Sequence, residues 1–241
     1  MDFIVLDDYD QMSLEGAQVF ASRIREKPDS VLGFATGGTP VGLYEALIGM
    51  HREGTLDFSK ITTFNLDEYY PMSHNDARSY HTFMWEHLFS SINVRRENVN
   101  IPDGQTADPE AFCDAYEEKI RAMGGIDLQL LGVGHNGHIA FNEPADALSA
   151  RTSVVTLTDS TVDANARFFG NRDLVPRRAL SMGMSAILCA RRILVLVSGA
   201  DKAPVVRRMR SGQVSTQVPA SLLQLHPNTL VLLDRAAAGI Q

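Results

Sequence analysis

Three observations predict an α/β fold. Apolar runs alternate with amphipathic stretches along the whole chain, the pattern of strands joined by crossover helices. Several runs, such as Val31–Thr36, Asp127–Val133 and Ile193–Ser198, are nearly continuous in Val, Ile and Leu, as expected for strands covered on both faces. Two amphipathic stretches open with a capping residue followed by proline, Thr39-Pro40 and Asp108-Pro109, which is how helices start. Together these give a three-layer, largely parallel open sheet with helices on both faces, Rossmann-like in its alternation.

Taken in order, strands are expected at Phe3–Leu6, Val31–Thr36, Ile61–Leu66, Asp127–Val133, Ser153–Leu157, Ile193–Ser198 and Thr229–Leu233. Helices are expected at about 11–26, 40–53, 79–91, 109–123, 160–169, 176–190 and 202–210, from apolar periodicity near 3.6. Residues 145–185 are rich in Ala, Ser, Thr and Arg and hold Gly170, Pro176 and Gly183. They suit a mobile cover over a site, or equally a long surface connection. No internal repeat, low-complexity tract or flexible linker divides the chain, so residues 1–241 read as one domain.

Composition narrows the function. The 241 residues are 44% hydrophobic, enough for one sizeable core. Lys and Arg total 22 against 29 Asp and Glu, a net charge of −7, which argues against a nucleic-acid footprint. The basic run Arg207-Arg208-Met209-Arg210 reads as the solvated end of a helix, where the dipole favours cations. Cys113 and Cys189 stand far apart with no partner motif and read as reduced, packed thiols. The first residues lack a basic region and a long apolar stretch, and no window approaches a membrane span. A cytoplasmic protein is expected.

In an open parallel sheet, ligands bind beyond the carboxyl ends of the strands, so the residues after each strand carry the functional signal. Thr36-Gly37-Gly38-Thr39-Pro40 follows the second strand. Its glycines and hydroxyls at a helix N-terminus suit a phosphate, although a tight turn with a good cap has the same look. Lys202, after the strand at 193–198, offers a countercharge. Asp67-Glu68 follows the third strand. A carboxylate held there and partly desolvated can act as a base, and a continuing pleat would aim only one of the two into the cleft.

The loop GVGHNGHIAFNEP, residues 132–144, admits three readings. Gly132, Gly134 and Gly137 have the spacing of a dinucleotide-binding turn, but Pro144 leaves little room for the helix such a turn needs. His135, His138 and Glu143 could ligate a metal only on a helix that the glycines disfavour. A glycine-shaped catalytic loop aiming His138 and Glu143 into the cleft fits best, since a carboxylate beside a histidine suits proton shuttling on a sugar.

The motifs GFATGGTPVGLYEAL from residue 33, TFNLDEYY at 63–70, GVGHNGHIAFNEP at 132–144, RFF at 167–169, SGADKA at 198–203 and LQLHP at 223–227 together resemble those of glucosamine-6-phosphate deaminases (glucosamine-6-phosphate isomerases) over nearly the whole chain. The related 6-phosphogluconolactonases share the fold but lack the Phe-Asn-Glu-Pro ending. The resemblance implies conversion of glucosamine 6-phosphate and water to fructose 6-phosphate and ammonia, with no cofactor and no metal. By matching position, His138 opens the pyranose ring with support from Glu143 and Asn136, and Asp67 moves a proton from C2 to C1. Thr36, Gly37, Gly38, Thr39, Arg167 and Lys202 hold the phosphate.

Three departures from the family pattern matter. Some members have aspartate where this chain has Asn136, so the orienting group is uncharged here, which reads as tuning of the histidine. Allosteric hexameric members carry basic residues where this chain has Ser153 and Val155, and the longer C-terminal tail of those members is missing. An unregulated enzyme, a monomer or small homo-oligomer, is therefore expected, with a small sugar phosphate as partner and no nucleic acid or membrane. A galactosamine-6-phosphate deaminase, a 6-phosphogluconolactonase and a non-catalytic sugar-phosphate sensor are the competing readings.

Overall fold

The computed structural model describes residues 1–240. Its ten strands are β1 (Asp2–Leu6), β2 (Val31–Phe34), β3 (Thr62–Asn65), β4 (Asp67–Tyr70), β5 (Val99–Asn100), β6 (Leu128–Leu131), β7 (Ser153–Thr156), β8 (Arg178–Ser181), β9 (Ile193–Val197) and β10 (Thr229–Asp234). Its α-helices are α1 (Tyr9–Glu26), α2 (Val41–Arg52), α3 (Tyr80–His87), α4 (Pro109–Ala122), α5 (Asp159–Phe169), α6 (Met184–Leu188) and α7 (Ala203–Met209).

Seven strands form one sheet in the order β1-β10-β9-β6-β2-β3-β5, and every pairing in it is parallel. Strands β2, β3, β6 and β9 are buried at every position. That is why their sequences carry little period-2 alternation. β1 lies at an edge and leaves Ile4 and Val5 exposed. The chain leaves β2 toward β3 on one side, while β6 pairs on the other. The carboxyl ends of β2 and β6 therefore open a crevice where the strand order reverses, the place where such sheets bind ligands. The loops after β9, β6, β2 and β3 leave four contiguous strands at this edge.

A second, three-stranded antiparallel sheet, in the order β4-β8-β7, stands over that edge. Leu66 belongs to both sheets: its N–H donates to Phe34 O in the main sheet at 3.3 Å, and its carbonyl accepts from Met182 N at 2.8 Å. The small sheet has its own apolar cluster, including Tyr69, Phe141, Val162, Phe169 and Ala179, separate from the main core.

The structure corrects several expectations. Residues 176–190 are not one helix but strand β8 followed by the short α6. Gly183 marks the break, where a Cβ would run into the backbone of Ala150 and Arg151. The strand at 153–156 lies in the small sheet rather than the parallel one. The helix from residue 79 ends at His87 and passes into a 3-10 turn at Phe89–Ser91. Thr39 does not cap α2; Pro40 takes the N-cap position without a side-chain bond, and the Tyr9 hydroxyl accepts from Gly42 N at 2.9 Å instead. Asp108 does cap α4, accepting from Ala111 N, with Pro109 in its first turn. Cys113 is buried, but Cys189 is exposed and so is not a packed thiol. Among the described residues no helix is long and apolar enough to cross a membrane.

Candidate active site

The chain bends at Leu66 between β3 and β4, and Asp67 and Glu68 part ways there. Glu68 turns to the start of α3: its Oε1 accepts from Tyr69 N and Tyr80 N, and its Oε2 from His81 N, at 2.8–3.0 Å. It is fully buried and acts as an anchor at a helix N-terminus, where a carboxylate is favoured. Asp67 is also buried, 7% exposed. Burial, and second the neighbouring Glu68 carboxylate, push its pKa up to about 8. Burial likewise raises Glu68, to about 7, against the pull of its three N–H donors. Glu68 is committed to its three N–H donors, so of the pair Asp67 is the carboxylate suited to exchange a proton.

Loop 132–144 is turn-rich and leads into no helix; the next one, α5, begins at Asp159. The dinucleotide reading fails on that ground. His135 turns outward to pair with Asp201 at 3.1 Å, which takes it out of the metal set with His138 and Glu143. Gly134 leaves room for His138, and Gly137 supplies the turn before it. A Cβ on Gly134 would overlap the His138 ring, and Gly137 has φ +94° with Val218 packed against it.

His138 Nδ1 lies 2.8 Å from Asn136 Oδ1 and 3.4 Å from Glu143 Oε2. An amide oxygen and a carboxylate only accept, so Nδ1 carries the hydrogen, and Nε2 of the neutral ring holds the free lone pair. Asn136 also donates from Nδ2 to Glu143 Oε2 at 2.7 Å. Thr161, in the first turn of α5, donates its hydroxyl to Glu143 Oε1. Burial raises the Glu143 pKa, but hydrogen bonds and charge from His138, with those from Thr161 and Asn136, outweigh it and hold the group below its ordinary value.

Contacts join these parts. Ser181 is the register partner of Asp67 in the small sheet, and its hydroxyl accepts from Phe141 N at 3.1 Å. Asp67 is thus tied to the histidine loop. The Tyr80 hydroxyl lies 3.4 Å from the Tyr69 hydroxyl, which ties the start of α3 to β4.

In that loop Gly37 has φ +102°, and nothing stands where Cβ atoms of Gly37 or Gly38 would be. Among the described residues no acceptor meets the N–H groups of Gly37, Gly38 and Thr39. Lys202 donates to Val133 O at 3.0 Å, and burial, partly offset by Asp201, lowers its pKa. Arg167, exposed near the end of α5, is close enough to oppose the charge of Lys202. The glycine loop after β2, Asp67 after β3, the histidine loop after β6 and Lys202 after β9 thus all follow carboxyl ends of adjacent strands of the parallel sheet. A separate concavity of about 410 Å³, lined by residues of α4 and α6 including Glu117, Arg121 and Cys189, shares none of them.

Sequence reasoning missed two supporting residues, and of the Asp67-Glu68 pair it left open which one faces the cleft; Glu68 is the anchor. Thr161 lies 18 positions after Glu143 and has no local signature. Asp234, at the end of β10, accepts from Ser198 Oγ at 2.5 Å and from Gly199 N, fixing the turn that presents Lys202. Only its place at a strand end could have marked it.

Comparison with known proteins bears on the family and the fold. A family profile described as glucosamine-6-phosphate isomerases/6-phosphogluconolactonase matches residues 9–232. A glucosamine-6-phosphate deaminase of Halothermothrix orenii is 51% identical over 240 residues, covering 100% of each chain. One from Clostridium perfringens is 49% identical, covering 100% of this chain and 99% of that one. Among solved structures, a monomeric glucosamine-6-phosphate deaminase superposes with a TM-score of 0.97 at 46% identity, covering 100% of both chains. A 6-phosphogluconolactonase of Thermotoga maritima superposes at 0.76 with 23% identity, covering 97% of this chain and 99% of that one, and so shares the fold. Matched in this way along nearly its whole length, the chain belongs to the glucosamine-6-phosphate isomerase/6-phosphogluconolactonase family.

Proposed function

We propose that the chain is a glucosamine-6-phosphate deaminase, converting glucosamine 6-phosphate and water to fructose 6-phosphate and ammonia in amino sugar breakdown. The observation that carries this reading is Asp67, a buried carboxylate with its pKa pushed up to about 8 on the same edge as a histidine whose Nε2 is free to take a proton.

The phosphate is held by the N–H groups and hydroxyls of Thr36–Thr39 and by Lys202 and Arg167. Fixing this unreactive end places C1 and C2 against the acid–base groups, a positioning effect. His138 Nε2 takes the proton of the C1 hydroxyl and returns it to the ring oxygen, opening the pyranose. Asn136 and Glu143 stabilise the transient imidazolium. Asp67 then removes the C2 proton while the substrate's own C2 ammonium gives a proton to O1, leaving an enol at C1 that bears a neutral amine on C2. Protonation at C1 by the Asp67 carboxyl gives a C2 iminium. Water adds there, ammonia departs, and the C2 ketone of fructose 6-phosphate remains.

Residues 145–185 serve as the cover of a single sugar-phosphate domain, with the small sheet as its frame. The protein acts as a cytoplasmic monomer. Ser153 and Val155 bring no charge for a second phosphate, so N-acetylglucosamine 6-phosphate leaves the substrate curve unchanged. A sharpened curve would refute that part of the reading.

The test is to incubate the protein with glucosamine 6-phosphate, without added metal or nucleotide, and follow ammonia and fructose 6-phosphate together. Equal release of both, lost in Asp67→Asn, is the expected result. Binding without release would point to a sensor, and hydrolysis of 6-phosphogluconolactone by Asp67→Asn at full rate would point to a lactonase. Galactosamine 6-phosphate in parallel reads the preference at C4.

A further inference from the structure

We propose that Thr161 is a positioning residue for the reaction, fixing Glu143 against His138 so that the helix reaching toward the phosphate also sets the acid–base group. The proposal rests on the reading that His138 and Glu143 open the sugar ring.

The Glu143 carboxylate is 8% exposed and its two oxygens are held by different parts of the chain. Oε2 is served from within loop 132–144, by Asn136 Nδ2 at 2.7 Å and by the nearby His138 Nδ1. Oε1 is met from outside the loop, by the Thr161 hydroxyl. Thr161 is itself buried, 4% exposed, in the first turn of α5. A hydroxyl there commonly satisfies the free N–H groups of its own helix, but Thr158 already does this, accepting from Thr161 N at 3.3 Å. The Thr161 hydroxyl is thereby released to reach Glu143.

The same helix carries Arg167, six residues on and about 9 Å further along the axis. Arg167 shares its surroundings with Lys202. An α-helix does not flex over such a length, so a shift of α5 that docks Arg167 on the phosphate is felt by Thr161 at the carboxylate. Phosphate binding and the placement of the proton-transfer group are coupled through one rigid element.

Thr161→Val keeps the branched shape and the Thr158 cap but removes the donor. In the deaminase assay we expect kcat to fall about tenfold or more while KM changes by less than about twofold. A hydrogen bond to the charged form lowers a carboxyl pKa, so losing it moves the acid limb of the kcat profile to higher pH. Thr161→Ser, which keeps the hydroxyl, restores both rate and limb. Thr161→Ala, should the valine variant fold poorly, shows the same loss without a methyl against the carboxylate. Unchanged kcat and pH profile in the valine or alanine variant overturn the proposal, provided Glu143→Gln loses activity in the same assay. So does a loss that serine fails to repair. Absence of ammonia release from the unaltered protein would instead remove the reaction reading, and this inference with it.

Discussion

Asn136 bridges His138 and Glu143: its Oδ1 lies 2.8 Å from the imidazole Nδ1 and its Nδ2 donates to the carboxylate at 2.7 Å. An aspartate could play only the first of these parts. Asn136→Asp would place two carboxylates in contact, and like charges raise the pKa of one of them. The variant is expected to keep its fold, to shift the acid limb of the pH–rate profile upward, and to lose about tenfold in kcat below neutrality. A rate equal to or above that of the unaltered protein at all pH values would mean that the amide donor on Glu143 is dispensable.

Asp67→Asn separates catalysis from stability. Loss of the base is expected to lower kcat on the order of 10²–10⁴-fold. The folded-state pKa of Asp67 lies above its unfolded value, near 8, so the protonated group is the one the fold favours. Stability linked to it is full at acid pH and falls as pH rises toward that value. The asparagine variant escapes this loss. At pH 8 it should be more stable by at least about 2 kcal/mol, read as a Tm higher by about 4–8 °C, and the gain should vanish near pH 4. For the unaltered protein, kcat/KM should rise with pH well above the ordinary carboxylate range, as a high-pKa base requires.

Gly134→Ala tests the shape of the histidine loop. A methyl there overlaps the His138 ring, and the ring has to swing away from Asn136. Misplacing one catalytic group by this amount is expected to lower kcat about 100-fold, with little change in circular dichroism or in phosphate binding. A normal rate would show that His138 works from another rotamer.

Lys202→Met addresses the other end of the site. The ammonium is half-buried and oriented by Val133 O, and its contact with a phosphate is charge-assisted. KM should rise on the order of 10–100-fold with a smaller effect on kcat. Inorganic phosphate is expected to inhibit the unaltered protein competitively, and that inhibition should weaken in parallel. Equal phosphate inhibition in both proteins would place the anion elsewhere.

Much of this site is legible in the sequence because it is built on strand ends. β2, β6, β9 and β10 announce themselves as mostly apolar runs, and the loops that hold the glycines, His138 and Lys202 follow β2, β6 and β9, while Asp67 follows the more polar β3. The small sheet is not legible for the converse reason. β4 reads Asp-Glu-Tyr-Tyr and β8 reads Arg-Ala-Leu-Ser, neither of which is an apolar run or a clear alternation. Their pairing is fixed by Leu66 and by the apolar cluster around Tyr69. Thr161 is hidden similarly, since its partner is brought to it only by the folding of the cover.

The double membership of Leu66 has a consequence for where this molecule can breathe. Its N–H is locked into the parallel sheet and its carbonyl into the antiparallel one, and the next residue is Asp67. Any local opening that moves Asp67 must fray both sheets at once, so amides at this junction should exchange with solvent nearly as slowly as those that open only on global unfolding. On the proposed reading of Asp67 as the proton-abstracting group, that carboxylate is mounted on the part of the backbone that resists local opening most.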